Sequence, residues 1–96
     1  MKAYLLLEVS ITDLEGFLSY AEKIPAFIDR HGGRYVVRGE VPTVIEGQWD
    51  AERVVLIEFP DRRAAEAFLA APDLQPLFKL RHETTKGTLL LVDGEG

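Results

Sequence analysis

The chain of 96 residues contains no cysteine and no asparagine, and only two glutamines, one methionine and one tryptophan. Without cysteine there is no disulfide, no thiolate metal site and no cysteine nucleophile. The scarcity of thermolabile side chains, with seven Arg against four Lys, fits a heat-adapted source and equally a GC-rich coding sequence. Long apolar runs are missing too: none approaches the roughly 20 residues of a bilayer-spanning helix. The start, Met1-Lys2-Ala3-Tyr4-Leu5-Leu6-Leu7-Glu8, meets a charge too early for a secretory signal. Positive charge is in short supply, with 11 Lys and Arg against 16 Asp and Glu, a net charge of -5 and a pI near 4.9. That balance excludes the clustered basic surface with which a nucleic-acid binder displaces counterions from phosphates. At 47% hydrophobic and 28% charged residues the chain can bury a core and is not a disordered tail. The expectation is one soluble, cytoplasmic domain over residues 1–96, with no nucleic-acid or membrane partner and no cofactor.

Along the chain, strand and helix signals alternate. Residues 3–9 form a short apolar run that reads as a central strand. Thr12 and Glu15 have the spacing of a capping box. Leu14, Phe17, Leu18, Ala21, Ile24 and Ile28 then recur at helical spacing. Pro25 predicts a kink, or a break before it, and His31-Gly32-Gly33 ends the helix. Strands follow over 34–40 and 53–59, separated by an irregular stretch with Pro42, Gly47 and Trp49. Asp61 is placed to cap a second helix, Pro72 opens a short helix toward Arg81, and residues 87–92 form a last strand. The order β-α-β-β-α-β predicts an α+β, ferredoxin-like fold, a four-stranded antiparallel sheet with its helices on one face.

Strand alternation sorts the residues between the covered and the open face. Ala3, Leu5, Leu7 and Val9 of the first strand and Arg53, Val55, Ile57 and Phe59 of the third fall under the helices. Pure alternation adds Tyr35, Val37 and Gly39 from the second strand. The open face then carries Tyr4, Leu6, Glu8, Arg34, Val36, Arg38, Glu40, Val54, Leu56 and Glu58. An apolar centre flanked by carboxylates and guanidiniums predicts burial against a second copy, with Glu58 near Arg34 and Glu8 toward Arg38, because desolvating a lone charge is costly.

Three stretches carry a resemblance: Gly32-Gly33-Arg34-Tyr35-Val36-Val37-Arg38-Gly39, Glu46-Gly47-Gln48-Trp49, and Arg53-Val54-Val55-Leu56-Ile57-Glu58-Phe59-Pro60, continued at Ala67, Pro72 and Arg81. Together they resemble the bacterial domain-of-unknown-function family 1330 over nearly the whole chain. The resemblance implies a dimeric α+β barrel, in which ferredoxin-like protomers pair sheet to sheet. It supplies no reaction, since the family has no established activity, although related barrels include monooxygenases and isomerases that need no metal. The chain departs from the family at Leu74, where an aromatic residue, commonly Tyr, precedes the glutamine that is Gln75 here.

Arg38, Glu46 and Trp49, which match the family, make a first candidate site: a guanidinium to hold a carboxylate, with a carboxylate and an indole to orient and cover a small ligand. The plainer reading has Arg38 and Glu46 bracing the loop and Trp49 packing on a partner. Glu8 and Glu58 form an acid–base pair if burial separates their pKa values, or structural pairs with arginines such as Arg34. His31 sits at a helix end, where imidazolium interacts well with the helix dipole, and is otherwise a proton-transfer candidate. Arg81 either caps carbonyls or reaches a ligand pocket. His31 and His82 have no matched spacing, so no metal site is expected. Gly32-Gly33 lacks the companions of a phosphate loop, and no serine has the context of a hydrolase triad. Three functions follow: a homodimer with a pocket for a small organic ligand, an interaction module whose polar sheet residues only fix dimer geometry, or a cofactor-independent monooxygenase- or isomerase-like enzyme.

Overall fold

A computed structural model describes residues 1–95. Strands β1 (Ala3–Ile11), β2 (Arg34–Glu40), β3 (Arg53–Phe59) and β4 (Thr85–Asp93) form one antiparallel sheet in the order β2-β3-β1-β4. Helices α1 (Leu14–Arg30), α2 (Arg62–Ala70) and α3 (Gln75–Thr84), the last preceded by a 3-10 turn at Pro72–Leu74, complete the ferredoxin-like order. The core draws on Ala3, Leu5, Ile57 and Phe59 from the strands, Ile24 and Ile28 from α1, and Phe68 and Phe78 from α2 and α3. None of Leu6, Val37, Leu56 or Leu90 belongs to it, so every helix packs on one face of the sheet and the other face is open. Among the described residues no helix is long and apolar enough to cross a membrane.

The local chemistry accounts for most boundaries. Asp61 caps α2 by accepting a hydrogen bond from the Ala64 amide at 2.8 Å. At the other helix start the cap is Asp13, which accepts from the Gly16 amide at 3.3 Å, and not the expected Thr12–Glu15 box. The Thr12 amide is already engaged by the Thr84 carbonyl at 2.8 Å, which moves the helix start one residue on. Pro25 lies within α1 without breaking it. The amide bond it forgoes is offset by burial of Ile24 and Ile28 on either side. α1 ends in a Schellman turn: the Gly33 amide bonds to the Ile28 carbonyl, the Gly32 amide to the Asp29 carbonyl, and Gly32 takes φ +77°. Leu74 is fully buried core.

The main departure from the expected fold is in β2. Arg34 and Tyr35 pair with Glu58 and Ile57, but Val37 pairs with Leu56, Arg38 with Val55 and Glu40 with Val54. Two residues, Val36 and Gly39, are therefore extra, and Gly39 adopts the φ of +71° typical of a glycine bulge. Val37 consequently shares the open face with Leu56, and Arg38 shares the helix face with Val55. Pure alternation places both on the opposite sides.

β1 and β4 approach closely at Gly87, where a Cβ would run into the carbonyl of Glu8. Gly87→Ala should therefore lower unfolding stability by about 2 kcal/mol, read from chemical denaturation. An unchanged midpoint would show that β4 does not hold this register.

Candidate ligand-binding site

α1 runs close along α3 and buries Tyr20, Ile24 and Ile28 toward the sheet. The space left between α1 and the helix face of the sheet is a cavity of about 310 Å3. Its walls are apolar, with Leu5, Leu7, Val55 and Ile57 from the sheet and Phe17 and Ile24 from α1. Leu14 and Leu18, at 60% and 56% exposure, line it as well, which explains why two residues of the apolar helical stripe are not core.

Five polar side chains line the cavity: Tyr20 on α1, Tyr35 and Arg38 on β2, Arg53 on β3 and Arg81 on α3. No Asp or Glu does. The Arg38 guanidinium lies over the Tyr35 ring, 4.6 Å from its centroid, and Arg53 donates to the Gly39 carbonyl at 2.9 Å. Arg81 is 7% exposed; its guanidinium lies over the Phe78 ring at 5.2 Å and hydrogen-bonds Nε2 of the exposed His82 at 3.2 Å. Burial pushes the Tyr20 phenol above its ordinary pKa, with the Arg81 guanidinium beside it opposing the rise. Burial, then the neighbouring Tyr20, push Tyr35 up to about 12 against the pull of Arg38. Both phenols therefore stay protonated at neutral pH and can donate a hydrogen bond to an anionic oxygen.

The sequence-derived candidates do not gather in one place. Glu58 and Arg34 meet on the open face, Nε to Oε1 at 3.0 Å and Nη2 to Oε2 at 3.3 Å. Lys2 adds a third contact at 2.9 Å and the Tyr4 hydroxyl donates a fourth at 3.3 Å. The hydrogen bonds from Lys2 and Arg34 hold the Glu58 carboxyl below the usual carboxylate range, opposite to what a general acid needs. Glu8 sits on the open face between Val54 and Thr88, and the bulges of β2 put Arg38 on the other face, so the expected approach of Glu8 to Arg38 does not occur. Nor do Arg38, Glu46 and Trp49 form a site. Glu46 and Trp49 lie on the exposed loop between β2 and β3, beside Val54 in a shallow hollow that excludes Arg38. Arg38 and Glu46 form no ion pair. His31 is the C-cap of α1 and packs edge-on against Phe68 at 5.7 Å. Of the candidates, Arg38 and Arg81 alone line the cavity.

Three of the polar lining residues, Tyr20, Tyr35 and Arg53, are not among the sequence-derived candidates. The signal for Tyr20 was its spacing: Phe17, Tyr20 and Ile24 recur at three and four residues, the rhythm of one helix face. Strand alternation puts Tyr35 and Arg53 under the helices, where a side chain reads as packing.

Two titrations follow. The contribution of the neutral Tyr35 phenol to stability is fully present below the unfolded value near 10 and is lost as pH rises through about 12. Ultraviolet titration should show a late phenolate that Tyr35→Phe removes. The contribution of Glu58, whose pKa is depressed, is present above its unfolded value and lost as pH falls through the folded one. The acid limb of a plot of melting temperature against pH should therefore be shallower in Glu58→Gln; superimposable limbs would contradict the role given to its partners.

Solved structures share this architecture. A protein of unknown function from Rhodopseudomonas palustris matches with a TM-score of 0.81 at 17% identity, over 99% of this chain and 83% of that one. SnoaB, a cofactor-independent oxygenase from Streptomyces nogalater, matches at 0.65 and 17%, over 99% and 94%. A dimeric ferredoxin-like protein of unknown function from Jannaschia matches at 0.62 and 18%, over the full length of both chains. At such identities the likeness is one of fold. No protein with a curated description shows significant sequence similarity. The model of one family, a domain of unknown function designated DUF1330, matches residues 2–95, and this chain belongs to that family.

Proposed function

We propose that this protein is a homodimer that binds a small organic molecule in the cavity between α1 and the sheet. The observation that carries the reading is the cavity itself: apolar walls with a few polar groups converging on them, the usual make-up of a small-molecule site. Its volume is at the lower end of the range of roughly 300–1,000 Å3 for such sites. The alternative of a purely structural module predicts that no cavity is left and that every charge is paired. Here a cavity remains, and among the described residues its guanidiniums have no carboxylate partner. SnoaB contributes a shared fold to this argument and not its oxygenation.

Dimerisation is supported by the open face. Val37, Leu56, Leu6 and Leu90 form one apolar row across all four strands, flanked by the ion-paired row of Arg34, Glu58 and Tyr4. Leu90 is 49% exposed in the single chain, as expected for a face that a second sheet covers. The fold is shared with a protein described as dimeric.

Leu56→Arg, at the centre of the row, should convert the dimer to monomer or aggregate in size-exclusion chromatography; an unchanged dimer refutes the sheet-to-sheet geometry. Native mass spectrometry of the purified protein should show a dimer with added small-molecule mass. Ala21→Trp, which fills the cavity from α1, should remove that mass. Mass retained in the variant would place the ligand elsewhere.

A further inference from the structure

The chain surrounds one cavity with three of its seven arginines and no acid, although acids outnumber bases by five overall. Arg81 is the most telling of the three. It is buried, its guanidinium hydrogen-bonds the His82 imidazole, and among the described residues no carboxylate lies within 4.0 Å of it. On its outer side the same guanidinium borders a second hollow lined by His82, Thr85 and Lys86, again without an acid. A desolvated cation without a counter-charge is costly, and the Phe78 face offsets only part of that cost. Arg81 also lies beside the Tyr20 hydroxyl, a second donor at the same end of the cavity. Arg38 and Arg53 are exposed on the strand side, where their field favours entry of an anion into a chain that otherwise repels one.

We infer that the cavity takes an apolar molecule bearing a carboxylate, with the carboxylate held by Arg81 and Tyr20 and the apolar body against Leu5, Leu7, Phe17 and Val55. This inference rests on the cavity being the ligand site and adds the chemical class. The guanidinium fork matches the two carboxylate oxygens, and the bond is charge-assisted. The phenol adds a hydrogen bond without adding charge, because its proton stays on.

The test is a matched pair of probes, naphthalene-2-carboxylate and naphthalene-2-carboxamide, titrated calorimetrically into the full chain. They share a ring system and differ in charge. The carboxylate should bind about tenfold more tightly than the amide. Arg81→Met should remove about that factor for the carboxylate and change amide binding by less than about twofold, whereas a merely structural role for Arg81 would weaken both probes alike. Arg38→Gln, an exposed change that spares the core, should weaken the carboxylate by about threefold and flatten its salt dependence, which keeps the inference testable if Arg81→Met fails to fold. Equal affinities for the two probes would overturn the carboxylate class and leave the cavity as a ligand site. Carboxylate binding that survives Ala21→Trp would assign the anion to the outer hollow and overturn the inference. Binding of neither probe would remove the cavity reading along with it.

Discussion

The register of β2 against β3 decides which face of the sheet receives each charge of the second strand, and the rest of the site depends on it. With uninterrupted pairing, Arg38 would join Arg34 and Glu58 on the open face and the cavity would lose one of its guanidiniums. The extra residue Val36 turns Arg38 inward over the Tyr35 ring and turns Val37 outward beside Leu56. One local irregularity thus does two things: it completes the apolar row on the open face and adds a cation to the other. A side chain at position 39 would resist the left-handed backbone that the second bulge uses.

Most of the fold was legible because it rests on signals that are local in the sequence. The periodicity of β1 and β3 assigned Leu5, Leu7, Ile57 and Phe59 to the core, and Asp61 marked the start of α2. The pairing of Arg34 with Glu58 followed from strand order and alternation alone. Where the reading failed, the deciding contact was distant in sequence. Thr12 lost its capping role to a bond with Thr84, more than half the chain away. The bulges of β2 leave no mark in a run of residues that alternates plausibly without them.

The cavity was less legible than the fold because the charges on the open face are the more conspicuous signal in the sequence. A sheet with uncovered charges draws attention to that side, yet its principal acid, Glu58, is held by Lys2, Arg34 and Tyr4, and its depressed pKa suits structure more than proton transfer. The cavity lies under the helices, in the layer that periodicity labels as core. Tyr20, Tyr35 and Arg53 each fall in a periodic pattern that reads as packing, and only the three-dimensional structure shows that the space between α1 and the strands is unfilled.

The two faces therefore divide the charged residues by whether the chain supplies their partners. On the open face Glu58 has its partners within the chain, in Lys2, Arg34 and Tyr4, and such pairs fix geometry while adding little net stability. Around the cavity the cations face phenols that cannot neutralise them, because burial keeps both hydroxyls protonated. Were the arginines only structural, an acid at one of the apolar lining positions would relieve them, and each such position is instead aliphatic, aromatic or glycine. A chain this small has few core positions, and placing a buried guanidinium among them sacrifices packing that Leu or Met would provide. A ligand of the proposed class would recover that sacrifice by bringing the counter-charge with it, and its binding would then add to the stability of the folded state.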